Sequence, residues 1–254
     1  MALPIIFAHR GASGYYPENT MLAFTKAVEM GATGIETDVH MTKDGKLVLI
    51  HDHSLERTCG VRGLIKDFYL EEIKQMDAGS WMDEDYKGER VPTLDELFAF
   101  VKQLDLVINL ELKSGVVLYP EIEKRVGEAI RAHDMTERVI ISSFNHYSLV
   151  ELKRLAPEIP IGLLYNEALF EPWHYAKSIG ASALHPIHYA VLPEFVRAAK
   201  REGIAYYPFT VNDRNEMKCL LQSGVSGIIT DYPDRLADLL KEKSELCRPC
   251  SPEI

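Results

Sequence analysis

Ionisable side chains accompany three short apolar segments of the sequence. His9 and Arg10 end the first segment, Glu36 and Asp38 lie in the second, and His51 follows the third. Charged groups are costly to bury, so their presence at the ends of core segments calls for a functional reason. In parallel α/β proteins, catalytic groups lie at the carboxyl ends of the strands. The spacing therefore predicts that these five residues meet in one site.

Glu36 and Asp38 form a pair of carboxylates in the second segment. Residues two apart on a strand point to the same face of the sheet. Adjacent carboxylates repel and raise each other's pKa unless a cation lies between them. Oxygen ligands of this kind suit a hard divalent cation, Ca²⁺ or Mg²⁺. The alternative is a solvated pair on an edge strand, and the flanking His9, Arg10 and His51 favour the metal site.

The order of the motifs resembles the signature of the glycerophosphodiester phosphodiesterase family. The ionisable motifs of that signature stand here as His9-Arg10, Glu36-Thr37-Asp38 and His51-Asp52. The connecting segments Pro17-Glu18-Asn19-Thr20 and Thr42-Lys43-Asp44-Gly45 also match it. No dipeptide among them is specific, whereas the ordered set is. The resemblance extends from His9 to about Pro233 and covers most of the chain.

The resemblance implies a metal centre beside a phosphate site. Glu111, in the apolar segment 107–113, corresponds to a third metal ligand beside Glu36 and Asp38. These three carboxylates would hold one divalent cation, and the sequence leaves Ca²⁺ and Mg²⁺ open. Arg10 offers bidentate donors to a phosphate, and Lys113 offers a point charge.

His9 and His51 are the expected general acid and base, because imidazole titrates near neutral pH. Which of the two is the base stays open. Asp52 is a candidate for orienting the site, although neighbours on a strand point to opposite faces. Phe144 lies in a Ser-Phe pair that resembles the family's, and Phe209 stands where the family commonly has Trp. Both are expected to wall the substrate pocket.

The implied reaction is the hydrolysis of glycerophosphodiesters to sn-glycerol 3-phosphate and an alcohol. The nucleophile is either the substrate's own 2-hydroxyl, which gives a cyclic phosphate, or a water activated by the metal. A rival class is a lysophospholipase D or phospholipase C-like enzyme, which needs an apolar rim for lipids; Trp81, Phe68 and Tyr69 are candidates. A binding protein would have lost a histidine or a carboxylate, and a sugar-phosphate isomerase would lack the ordered motifs.

Strand and helix signals alternate along the 254 residues, which predicts one α/β domain, a TIM (β/α)8 barrel over residues 1–254. The turn around Asp44-Gly45 is too short to join parallel strands. Residues 47–50 are therefore expected to return as the second arm of a hairpin after strand 2. Residues 53–92 are too long for an ordinary loop and predict a small insertion on the carboxyl-terminal rim of the barrel.

Charge and composition limit the partners. The formal net charge of -10 argues against nucleic acid and against an anionic membrane surface. No apolar run approaches the ~20 residues that span a bilayer, and the start of the chain lacks the pattern of a signal peptide. We expect a cytoplasmic enzyme of small soluble diesters without stable membrane association. Its oligomeric state stays open, with a homo-oligomer as one alternative. We also expect weak discrimination among choline, ethanolamine and glycerol head groups, because no cage for a quaternary ammonium shows.

The remaining histidines and the cysteines are expected to be structural. Pocket walls or solvated loops are expected for His40, His53, His185 and His188, and His53 stands where the family usually has proline. The cysteines are too few and too scattered for a disulfide framework; they are Cys59, Cys219, Cys247 and Cys250. The last two form a CxxC in a polar tail without a thioredoxin-like context, so no redox role is predicted.

Overall fold

A barrel of eight parallel strands forms the frame of the protein in a computed structural model, which describes residues 3–246. Neighbouring strands follow the order β8-β7-β6-β5-β4-β2-β1-β9, and β3 pairs with β2 outside this path. The strands are β1 (Ile5–His9), β2 (Gly34–Met41), β3 (Leu47–Leu49), β4 (Val107–Leu112), β5 (Val139–Ser143), β6 (Ile161–Tyr165), β7 (Ala183–Pro186), β8 (Ala205–Tyr206) and β9 (Gly227–Thr230).

Helices follow the strands. They are α1 (Met21–Glu29), α2 (Glu56–Cys59), α3 (Leu70–Ile73), α4 (Leu94–Val101), α5 (Ile122–Ala132), α6 (His146–Leu155), α7 (Pro172–Ser178), α8 (Pro193–Arg201), α9 (Arg214–Ser223) and α10 (Pro233–Leu246). Of these, α2 and α3 lie in the segment between β3 and α4, and the others pack around the barrel. Two helix starts follow directly from the sequence. The Thr20 side chain accepts a hydrogen bond from the N–H of Ala23, and Thr93 and Glu96 form a capping box. Each cap satisfies backbone N–H groups that the first helical turn leaves without partners.

Backbone hydrogen bonds between the last two barrel strands close the ring. The N–H of Ser226 donates to the carbonyl of Tyr206 and the N–H of Ile229 to that of Pro208, both at 3.0 Å. The regular part of β8 is only two residues long. Pro208 has no N–H to donate, although Phe209 beyond it still donates to the Pro186 carbonyl at 3.0 Å. The closed, parallel arrangement confirms the TIM barrel.

The predicted hairpin after strand 2 is confirmed. β3 runs antiparallel to β2, with Val39 opposite Leu49. The Thr42 N–H donates to the Lys46 carbonyl at 2.9 Å and tightens the turn. Since β3 ends at Leu49, the chain leaves the hairpin immediately before His51 and returns above the end of β2.

The segment between β3 and α4 contains only short helical turns. It packs around a small cluster of buried apolar side chains that is separate from the main core. That cluster consists of Val48, Ile50, Leu55, Ile65, Ile73, Ala78 and Val91. Arg57 and Trp81 reach the surface from this insertion, and the Arg57 guanidinium lies 5.4 Å from the centre of the Trp81 ring.

Candidate active site

Three carboxylates converge on the strands β2 and β4. The parallel register places Asp38 opposite Glu111, and Glu36 lies two residues before Asp38 on the same face. Each carboxylate offers an oxygen, and these oxygens lie within 4.8 Å of one another. The three residues could hold a metal ion, as the sequence predicts.

The charges of this carboxylate cluster are strongly perturbed by burial. Burial and the neighbouring Asp38 raise the pKa of Glu36 well above its usual range. Burial also raises the pKa of Glu111, to about 7, against the opposing effect of Lys113. Asp38 behaves differently: although its burial opposes ionisation, Lys113 and Arg10 hold its pKa well below the usual value. Two of three carboxylates therefore resist ionisation when no further cation compensates them.

The donor set fits a hard divalent cation. Glu36, Asp38 and Glu111 supply oxygen atoms, which calcium and magnesium prefer. A fourth oxygen, Oδ1 of Asn109, is buried without a hydrogen-bond partner among the described residues. Asn109 stands opposite Glu36 in the register of β4 against β2. A buried acceptor without a donor is unusual. A cation bound nearby would supply the missing partner of this oxygen.

His9 forms a close pair with Asp231, at the end of β9. Its Nδ1 atom lies 2.6 Å from Oδ1 of Asp231, which also accepts from the Ser13 hydroxyl at 2.9 Å. The Asn212 amide donates to the other carboxylate oxygen at 2.6 Å. Although burial opposes it, hydrogen bonding from His9 holds the pKa of Asp231 down at about 2. With Nδ1 donating to Asp231, the free atom is Nε2, which lies 4.0 Å from Glu36.

His51 forms the second pair, with Asp52, and this pair is supported by the insertion. Nδ1 of His51 lies 2.7 Å from Oδ1 of Asp52. Arg57 donates to Asp52 from Nε at 2.7 Å and to Glu18 from Nη2 at 2.7 Å. Glu18 in turn accepts from Arg10 at 3.0 Å. A chain of alternating charges therefore connects His51 to Arg10.

The contact between His51 and Asp52 departs from strand alternation for a local reason. Alternation applies inside a strand, whereas β3 ends at Leu49 and residues 51–53 form a bend. The two side chains therefore lie on the same side, and Asp52 orients the imidazole of His51. Burial lowers the pKa of His51, against the attraction of Asp38.

A buried histidine holds the backbone of His51. His40 is inaccessible to solvent, and its Nε2 lies 3.1 Å from the His51 carbonyl oxygen. A carbonyl only accepts, so Nε2 carries the proton, and Nδ1 accepts from the Tyr119 hydroxyl at 2.7 Å. Burial lowers the pKa of His40 to about 3, which keeps the ring neutral.

Arg10 and Lys113 lie on either side of Asp38. The distances to its carboxylate oxygens are 3.5 Å from Nε of Arg10 and 3.4 Å from Nζ of Lys113. Lys113 also donates to Glu111 at 2.9 Å. Arg10 has a φ of 55°, in the left-handed region that only glycine adopts readily, and Gly11 follows with a φ of 83°. This turn brings the Arg10 side chain and its N–H to the carboxylates.

Phe144 and Phe209 form one aromatic pair at the rim. Their ring centroids lie 5.9 Å apart with an interplanar angle of 82°. Trp81 is not part of this pair: it packs with Arg57 in the insertion and is 40% exposed. The structure therefore brings together the two phenylalanines that the sequence selects as pocket wall.

Several site residues were not selected from the sequence. They are Ser13, Glu18, Asn19, Arg57, Asn212 and Asp231. Asn19 donates to Asp38 at 2.9 Å inside the protein. The sequence could have indicated Asp231 as a site residue, because it follows an apolar strand as His9 does. No sequence pattern indicates Arg57, since it lies in a segment without hydrophobic periodicity.

Of the other histidines, His40 and His185 are not the pocket walls or solvated residues that the sequence predicts, because both are inaccessible to solvent. His185 is buried, packs against Gly162 and Tyr207, and has neither nitrogen paired among the described residues. His188 begins a short 3₁₀ helix, and its Nδ1 lies 2.9 Å from Glu216. Cys59 and Cys219 are free thiols, and the predicted CxxC at Cys247 lies outside the described residues. Within residues 3–246, no helix is long and apolar enough to cross a membrane.

Comparison with known proteins shows the family of the chain. Residues 9–235 match the model of the glycerophosphoryl diester phosphodiesterase family. The chain is 49% identical over 238 residues to a glycerophosphodiester phosphodiesterase of Caldanaerobacter subterraneus subsp. tengcongensis, covering 94% of this chain and 98% of that relative.

Solved structures agree as well. An Oleispira antarctica phosphodiesterase in complex with the product sn-glycerol-3-phosphate superposes with a TM-score of 0.85 and 32% identity, over 94% of this chain and 97% of that one. A glycerophosphodiester phosphodiesterase from Agrobacterium tumefaciens superposes with a TM-score of 0.83 and 28% identity. The match covers 93% of this chain and 100% of that one.

Proposed function

The chain belongs to the glycerophosphoryl diester phosphodiesterase family, and from this premise we propose that it hydrolyses glycerophosphodiesters to sn-glycerol 3-phosphate and an alcohol at the site described above. One observation carries the assignment to this site: two His–Asp pairs, His9–Asp231 and His51–Asp52, flank a cluster of three carboxylates. Water-soluble diesters in the cytoplasm are the substrates that we expect.

The two imidazoles divide the proton transfers between them. Because each Nδ1 is held by an aspartate, Nε2 of His9 and Nε2 of His51 are the atoms that exchange protons with the substrate. One takes the proton of the attacking hydroxyl or water, and the other gives a proton to the leaving alcohol oxygen. The aspartates fix the tautomers and stabilise the imidazolium that forms.

The cationic side chains and the carboxylate cluster bind and neutralise the negative charge of the phosphodiester, the carboxylates through the cation that they would hold. Arg10 and Lys113 bind its oxygens, since both lie at the cluster and Arg10 has donors suited to phosphate. Glu36, Asp38 and Glu111 would hold one divalent cation, Ca²⁺ or Mg²⁺. When bound there, such an ion supplies Lewis acidity and neutralises phosphate charge. Phe144 and Phe209 cover the apolar edge of the glycerol backbone.

An assay on glycerophosphocholine with and without chelator tests this proposal. We expect hydrolysis that disappears in excess EDTA and returns with Ca²⁺ or Mg²⁺. Glu36→Gln should lose metal binding, measured by calorimetry, while its thermal unfolding stays cooperative. Glu194→Gln, at an exposed carboxylate on α8 outside the cluster, is the matched control and should behave as the wild type. Full activity of the wild type in EDTA would refute metal dependence.

A second candidate, activity on lysolipids, is favoured by exposed apolar side chains on the segments that follow β4 to β7. Val116, Tyr147, Phe170 and Tyr189 are all more than 70% exposed, the last at 72%. Phe170 also lines a cavity of about 480 Å³, together with Phe144, Leu164 and Leu169 among others. Exposed apolar patches of this kind mark ligand or membrane contacts in many proteins.

Head-group and lipid substrates distinguish the two candidates. For the choline, ethanolamine and glycerol diesters we expect kcat/KM values within about tenfold, or ~1.4 kcal/mol. Micellar lysophosphatidylcholine should be turned over much more slowly. A clear preference for the lysolipid, lost in Phe170→Ser, would instead assign the exposed apolar loops to lipid binding.

A further inference from the structure

We propose that His53 is a third histidine of the site, which donates a hydrogen bond from Nε2 to the free terminal hydroxyl of the glycerol moiety. The inference rests on the proposed hydrolysis of glycerophosphodiesters and names one residue that selects the glycerol end. His53 stands two residues beyond His51, in the bend that follows β3.

A small cavity brings His53 next to the metal cluster. The cavity has a volume of about 110 Å³, and its lining includes His53, Glu111, Lys113 and Phe144. It is thus bounded by a carboxylate and a cation of the site on one side and by the aromatic wall on another. An occupant of this cavity reaches the carboxylate cluster directly.

Two contacts fix the position of His53, one through its ring and one through its backbone. It packs edge to face on the buried His40, with centroids 5.1 Å apart, and its carbonyl accepts from the Ile65 N–H at 3.0 Å. Its Nδ1 atom is buried and has no partner among the described residues. Because the residue nevertheless lines the cavity, the Nε2 edge is the one that faces it. A proton on Nε2 leaves no buried N–H without an acceptor.

The size and polarity of the cavity match the uncharged end of the substrate. Water occupies about 30 Å³ per molecule in the liquid, so 110 Å³ has room for a few heavy atoms. A hydroxymethyl group fits in this volume. Arg10 and Lys113 already address the phosphate, and on the cyclic-phosphate route the 2-hydroxyl attacks the phosphorus. The terminal hydroxyl is the polar group left for His53.

Two substrates separate this contact from a structural role. Glycerophosphocholine carries the terminal hydroxyl, and the phosphocholine ester of ethylene glycol lacks it but keeps a hydroxyl beside the phosphate. We expect His53→Ala to raise KM for glycerophosphocholine about three- to tenfold, the range for one hydrogen bond, with kcat within about twofold. KM for the analogue should stay within about twofold. His53→Gln, which retains a donor, should recover most of the loss, and His188→Ala should match the wild type.

The alternative outcomes overturn the proposal. An equal rise of KM for both substrates would place His53 against the shared phosphate or in the fold, and a loss of kcat on both would place it in the chemistry. No change on either would remove it from substrate binding. If the wild type hydrolyses neither substrate, the proposed function fails on its own. Calorimetry then still decides: sn-glycerol 3-phosphate should bind His53→Ala more weakly, and ethylene glycol phosphate should not.

Discussion

The two His–Asp pairs of the site are built on different supports. His9 and Asp231 extend from the neighbouring strands β1 and β9, and their side chains are 17% and 25% exposed. His51 and Asp52 lie in a bend outside the barrel, each 31% exposed, and depend on Arg57 of the insertion, which is 40% exposed. One pair is fixed by backbone pairing and the other by a chain of charged side chains.

The two pairs can perform the same chemistry, but they should differ in their sensitivity to solution conditions. Both pairs leave Nε2 free, so both histidines can serve in proton transfer. Strand pairing is insensitive to ionic strength, whereas partly exposed ion pairs are screened by salt and contribute little individually. The His9–Asp231 pair should therefore keep its geometry at salt concentrations that loosen the His51–Asp52 pair.

Removal of either imidazole should have the largest effect. His9→Ala and His51→Ala should each lower kcat by about 10²–10⁴, with little change in Tm because neither residue lies in the core. Steady-state kinetics on glycerophosphocholine and a melting curve check this. Near-normal activity of one variant would show that the two pairs are not equivalent in the chemistry. Failure of a variant to fold would give that histidine a structural role instead.

Replacement of the orienting aspartates should have the next largest effect. Asp231→Asn and Asp52→Asn should each lower kcat by about 10–100-fold, the usual cost of losing a group that orients a functional side chain. We expect the larger loss for Asp231→Asn, because Asp231 also organises Ser13 and Asn212. The comparison requires both kcat and KM. A larger loss for Asp52→Asn would reverse the view that the barrel pair is the better organised one.

The carboxylate cluster between the two pairs predicts a pH dependence of stability. In cation-free protein the pKa of Glu111 is raised to about 7 from an ordinary value of 4.5. Between these values the folded state binds more protons than the unfolded state, so stability falls as pH rises. With EDTA present, Tm should be about 3–5 °C higher at pH 6 than at pH 8. Glu111→Gln should flatten this slope, and an unchanged slope would contradict it.

Removal of the Arg57 link should have the smallest effect and tests the comparison most directly. Arg57→Gln should lower kcat/KM by about two- to fivefold at low salt, since exposed ion pairs contribute up to ~1 kcal/mol. In about 0.5 M NaCl the difference from the wild type should shrink. Arg62→Gln, at a 90% exposed arginine of the same insertion, is the control. A loss that persists undiminished in about 0.5 M NaCl would contradict this orienting role of Arg57.

Local patterns of the sequence determined a large part of the fold and of the site. The alternation of side chains on a strand put Glu36 and Asp38 on one face, and the short turn at Asp44-Gly45 required an antiparallel return. The caps at Thr20 and Thr93 set two helix starts. Each of these rests on interactions within a few residues, so the sequence carries the full information.

Tertiary structure decided the partners that orient the site. Asp231 is 222 residues from His9, and only closure of the barrel between β1 and β9 brings them to 2.6 Å. Glu18 and Arg57 meet across 39 residues because the insertion folds back over the rim. His53 faces the cavity because the chain bends after β3 and packs on the buried His40. Such contacts arise from packing between distant elements, which no local periodicity records.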